Sequence, residues 1–235
     1  MVVDLKLFLR KVLTKGLILD LDDRMKAEAI RAFEMIRDHS GLRSKKRARE
    51  SEGQARFRMM EEGFESVCQL HGGALLDGGI LPLTELKVFQ PFMRFEREGR
   101  GLILGLAAMP EPRKIPSKNL SRVAAVSLNC QLSPRLDLDG TGPRHGDVFV
   151  MFLVARDRVR AGKIEEIAIG VVDSAYSVFL LYETLDQFLA GSVDAADKVP
   201  PSTEQSAPKV TLKRVPKLFT PPEAPPKKDD DAGIA

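Results

Sequence analysis

The hydrophobic period of this chain changes between Gly73, where the helical part stops, and Gly78, and that change limits the folds open to it. Before it, apolar residues recur every three to four positions, which is the spacing of one helix face. After it, short apolar runs alternate with turn residues, as strands joined by hairpins do. Such a chain reads as α+β, with a mainly helical first third (residues 1–73) packed on a mainly antiparallel sheet (78–191).

The helical part divides into three. Leu5, Phe8, Leu9, Val12 and Leu13 share one face, with Gly16 as a C-terminal cap. Asp20, Asp22 and Asp23 then supply acceptors for the free N–H groups of a second helix carrying Met25, Ala29, Phe33 and Ile36. His39, Ser40 and Gly41 end it. A third helix over about 44–71 carries Phe57, Met60, Phe64, Val67, Cys68 and His71 in one stripe.

Beyond Gly78 the expected strands are 79–83, 86–95, 102–108, 123–128, 148–155, 164–172 and 178–182. Glu98-Gly99-Arg100-Gly101 and Arg160-Ala161-Gly162-Lys163 mark hairpin turns. Little chain separates the runs, so antiparallel pairing is expected in place of helical crossovers. The runs at 148–155 and 164–172 are apolar almost throughout, as central strands are. A short helix over 185–189 closes the domain, and the helices are expected to cover one face of the sheet.

From Ser192 to residue 235 the composition turns to Pro, Lys, Ser, Thr and Asp, which buries too little apolar surface to offset its ordering entropy. The segment is expected to be a disordered tail. Within it, Val210, Leu212, Val215, Leu218 and Phe219 form a more apolar stretch, readable as a linear motif for a protein partner.

The cysteines, Cys68 and Cys130, lie far apart on apolar stretches and read as free thiols of a reducing compartment. Charges at Asp4, Lys6, Arg10 and Lys11 interrupt the N-terminal apolar run, against a secretory signal. No apolar run approaches the length of a bilayer-spanning helix, so a cytoplasmic protein without a membrane partner is expected.

Three patterns bear on function. Arg43, Lys45, Lys46, Arg47 and Arg49 form a basic cluster at the start of the third helix, suited to phosphate contact without base specificity. Asp77, Glu85 and Lys87, after a helix bearing Glu61, Glu62 and Glu65, resemble the metal site of PD-(D/E)xK nucleases. That resemblance implies carboxylates holding Mg²⁺, a metal-activated water and a lysine steadying transition-state charge. Asp137-Leu-Asp139-Gly140-Thr141 resembles the phosphotransfer loop of haloacid-dehalogenase-type phosphatases, but follows a segment that reads as loop and is explained by turn chemistry.

Polar residues also sit where strands stop: Arg94, Glu96, Arg97 and Glu98 at one hairpin, and Arg156, Asp157 and Arg158 at another. They either form rim ion pairs or line a pocket. The expectation taken forward is a non-catalytic binding or accessory protein with no cofactor, contacting a polyanion or protein through the basic helix and the tail. The alternative is the Mg²⁺-dependent nuclease.

Overall fold

The computed structural model describes residues 2–76, 90–132 and 147–190. Three helices come first: α1 (Val2–Val12), α2 (Lys15–His39) and α3 (Lys45–Leu70). A six-stranded sheet follows, in the spatial order β1 (Ala74–Leu75), β2 (Phe92–Arg97), β3 (Arg100–Met109), β4 (Val148–Arg156), β5 (Ile164–Val172) and β6 (Phe179–Thr184). A short helix α5 (Leu185–Ala190) continues directly from β6.

Every neighbouring pair of strands is antiparallel except β3 and β4, which run parallel. That pair corrects the expectation that no crossover is present. The chain leaves the end of β3 and returns to the start of β4 by way of α4 (Leu120–Val126) and a 3-10 turn (Ser127–Gln131). The run at 123–128 is therefore helical and not a strand. Asn119 caps it, its side chain accepting from the Arg122 N–H at 2.7 Å, and the two alanines favour the helix.

Both faces of the sheet are covered, not one. Leu9, Leu17, Ile18, Met60 and Phe64 of the first three helices, with Phe188 of α5, pack on Leu104, Val150, Phe152 and Ile169. Ala125, Val126 and Leu128 pack on the opposite face against Ile103, Phe149 and Met151. Strand β4 is buried along its length until Arg156, which explains its continuous apolar run.

Two helix boundaries differ from expectation. α2 starts at Lys15, where Thr14 accepts a hydrogen bond from the Leu17 N–H at 3.3 Å. Leu17, Ile18 and Leu21 already face the core, so Asp20, Asp22 and Asp23 are interior helix positions and not its start. Gly16 lies in the first turn of α2 and caps nothing. By contrast α3 and its closing residue His71 stand as expected.

The expected turn over 98–101 is shorter than that: only Glu98 and Gly99 turn, between the paired residues Arg97 and Arg100, and Gly101 already pairs with Glu96. Both turn residues have positive φ (54° and 74°), the geometry that matches the twist of the flanking strands. A different glycine is costly for the chain. Gly53 lies inside α3, where glycine disfavours the helix by about 1 kcal/mol relative to alanine. A Cβ added there would meet no atom within 4 Å, so packing does not require its absence.

The expected strand at 79–83, the first part of the run at 86–95, the Asp137–Asp139 loop and the whole segment 192–235 lie outside the described residues. No helix among the described residues is long and apolar enough to cross a membrane.

Candidate functional site

The first half of α3 carries the charge that the sequence singles out. Arg43, Lys45, Lys46, Arg47 and Arg49 are all exposed, and none forms an ion pair among the described residues. Ser44 stands at the helix N-cap without a side-chain cap bond. Four cations in the first two turns of α3, with Arg43 just before its N-cap, form no ion pair among the described residues and leave a positive surface over this end of the helix.

One turn further on, the helix meets the sheet. Alternation along β4 places Val154 and Arg156 on the face covered by α3. Glu52, whose side chain is 7% exposed, receives the Arg56 guanidinium on Oε1 at 3.2 Å and the Arg156 guanidinium on Oε2 at 3.2 Å. Two cations thus share one buried carboxylate. Burial, and then the neighbouring Arg156 charge, hold the Arg56 pKa below its ordinary value, with Glu52 acting the other way.

The two guanidiniums use few of their donors on Glu52. The Arg156 Nε is buried and has no acceptor among the described residues. A cavity of about 320 Å³ opens beside them, between α3, the ends of β3 and β4, and the start of β5. Phe57, Met60, Leu106, Val154 and Ile164 form its apolar wall. Arg56, Arg156, Arg158 and Lys163 supply four cationic side chains around it. A register shift at Ala155/Arg156 pairs Arg156 with Ile164, which brings Ile164 to the helix face and closes that end of the wall.

Arg158 is engaged by Glu111 at 3.0 Å and by the Pro110 carbonyl at 2.9 Å, and Glu111 also holds Lys114. The Lys163 ammonium has no ion pair among the described residues. Asp157, next in sequence to Arg156, is used inside its own turn. It accepts from the backbone of Val159 and Arg160 and from the Arg160 side chain, bonds that hold its carboxyl below the usual carboxylate range. Gly53 borders both the cavity and a wider open groove that runs past Arg49, Gln54, Arg58, Gln90 and Asn119.

The polar groups at strand ends therefore divide. Arg94 is a rim residue, bonded to Glu96 at 2.8 Å and Asp147 at 3.1 Å. Arg156 and Arg158 line the cavity. Sequence reasoning missed Glu52, Arg56 and Lys163 as members of one site. The available signal was Glu52 with Arg56 at (i, i+4), next to an unneeded helix glycine.

Asp77, Glu85 and Lys87 lie outside the described residues. Glu61, on the helix before them, is buried and bonded to Arg58 at 2.9 Å. Among the described residues no group of three His, Cys, Asp or Glu side chains is placed to share a metal ion. Cys68 is buried and free, and its burial pushes the thiol pKa far up, so it carries no activated thiolate. Tyr182 donates to Glu166, and burial together with that bond pushes its phenol up to about 12.

Glu61 yields a pH prediction. Burial raises its pKa above the usual value of 4.5, and the Arg58 contact offsets only part of that. The folded state therefore binds this proton more tightly than the unfolded chain. Its contribution is fully present below the unfolded pKa and is lost as pH rises through the folded one. Glu61→Gln is expected to melt above wild type at pH 7 and level with it near pH 4, as followed by thermal denaturation at both pH values.

The fold defines an α+β protein with a cavity bordered by cationic side chains. Compared with known protein families, curated proteins and solved structures, the chain matches none of them.

Proposed function

We propose that this is a non-catalytic binding protein that contacts a polyanion through the N-terminal half of α3. The observation that supports this reading is the run Arg43, Lys45, Lys46, Arg47 and Arg49, exposed and unneutralised among the described residues. Elsewhere on the helices, exposed cations are commonly paired, as Lys26 is with Asp22 and Arg37 with Asp38. Side chains held this way contact phosphates of either DNA or RNA without reading bases. On the same reading the segment containing Val210, Leu212, Val215, Leu218 and Phe219 extends the protein's reach to a protein partner. The free cysteines suit a cytoplasmic location.

The test is binding of a DNA or RNA oligonucleotide at two ionic strengths. With five phosphate contacts, raising salt from about 50 to 200 mM is expected to weaken binding on the order of a few hundredfold. Substituting Lys45, Lys46 and Arg47 by alanine is expected to reduce the logarithmic salt slope by about 0.9 per cation removed. Absence of binding at low salt, or a slope unchanged by the triple substitution, removes the proposal. Pull-down with and without residues 192–235 tests the tail separately: loss of the captured protein on truncation supports the partner motif, and unchanged capture removes it.

A further inference from the structure

We infer that the cavity between α3 and the sheet is a binding site for a small organic anion, with one oxyanion head on a short apolar body. The site is separate from the basic start of α3 and does not depend on the polyanion reading. Its volume of about 320 Å³ is at the small end of pockets that enclose small molecules. That suits a chain of several carbons or a single ring.

Three features argue for an anion. First, the wall is divided by chemistry: Phe57, Met60, Leu106, Val154 and Ile164 present apolar surface, while Arg56, Arg156 and Lys163 gather around the same space. A purely apolar ligand leaves those cations without a counter-charge, and a fully hydrophilic ligand leaves the apolar wall unmatched.

Second, the fixed charges do not balance. Arg56 and Arg156 share the single carboxylate of Glu52, and Lys163 has no ion pair among the described residues. Arg158 is engaged by Glu111, which it shares with Lys114. A ligand bearing one negative charge compensates the excess beside Glu52, and guanidiniums with spare donors match the planar or tetrahedral oxygens of a carboxylate or phosphate.

Third, the mouth is kept open at a cost to the helix. Gly53 borders the cavity in mid-helix, where an added Cβ meets no atom within 4 Å and helix propensity favours alanine. Its missing side chain has an evident consequence: access to the apolar wall.

The probes are octanoate, octyl phosphate and 1-octanol, titrated calorimetrically into the full chain. Either anion is expected to bind saturably and at least tenfold more tightly than the alcohol, which has the same tail without the charge. Lys163→Met, at an exposed turn and outside the Glu52 ion pairs, is expected to weaken anion binding about tenfold. Gly53→Leu is expected to abolish it while leaving the melting temperature equal to or above wild type, so that loss of binding is not loss of fold. The alanine triple at Lys45, Lys46 and Arg47 is expected to leave octanoate binding unchanged.

Equal binding of octanol and octanoate overturns the inference, as does no binding of either anion. Undiminished binding by Gly53→Leu, or loss of binding in the Lys45, Lys46 and Arg47 triple, also overturns it, because the anion then sits elsewhere.

Discussion

Replacing Glu52 by alanine is expected to destabilise the protein by about 3 kcal/mol, at the low end of the range for breaking a buried ion pair. The low end applies because Arg156 keeps 30% of its side-chain surface in water, whereas Arg56 keeps only 13%. The loss has two origins. The carboxylate that receives both guanidiniums disappears, and the two like charges are left facing one another, with Arg56 already held below its ordinary pKa by burial and by Arg156. Urea unfolding followed by circular dichroism measures the effect.

A second variant separates the penalty of the broken pair from the net worth of the intact one. Replacing Glu52 and Arg56 by leucine and Arg156 by methionine together removes all three charges and fills similar space. Such replacements are often neutral or stabilising, so the triple variant is expected to recover most of the lost stability. It is also expected to lose anion binding in the adjacent cavity. A triple variant as unstable as Glu52→Ala would show that the network contributes more than charge compensation.

The second large effect is expected at Asn129. Its side chain is fully buried in the 3-10 turn after α4 and reaches between two strands where their ladder runs out. The amide nitrogen donates to the Phe149 carbonyl at 3.0 Å and the Val172 carbonyl at 2.9 Å, while its oxygen accepts from the Phe149 N–H at 2.8 Å. Asn129→Ala leaves a buried N–H and two buried carbonyls without these partners. Each such group costs about 1–3 kcal/mol, and partial relaxation brings the expected total to about 3 kcal/mol. For a domain of this size that corresponds to a fall in melting temperature of about 6–12 °C. Asn129→Asp keeps the shape but sets a carboxylate oxygen against two carbonyl oxygens. It is expected to be at least as damaging, and a smaller loss for Asp than for Ala would show that volume matters more than hydrogen bonding.

Where sequence reasoning missed an element, the cause is traceable. Residues 123–128 read as a strand because a short apolar run has no decisive period. The helix follows from the Asn119 cap and from the need to return the chain to a parallel β4. The start of α2 was missed because aspartates suit a first turn. Here Asp22 instead pairs with Lys26 and Asp20 with His71 on the outer side of an established helix. The cavity was only half legible. Arg156 and Arg158 stood out as polar residues at a strand end, yet nothing in the linear order connects them to Glu52 and Gly53, roughly a hundred residues away.

What the sequence determined by itself is the local and periodic content. It includes the three N-terminal helices, the apolar central strands, the turn at Glu98-Gly99, and the exposed basic start of α3. These follow from side-chain spacing and backbone preference over a few residues, which act before any long-range contact forms. Tertiary structure alone decided the parallel β3–β4 pair, the covering of both sheet faces, and the meeting of Arg56 and Arg156 on Glu52. Those depend on which distant surfaces bury one another. A buried carboxylate shared by two guanidiniums exists only once α3 lies across the end of β4 and shields it from water.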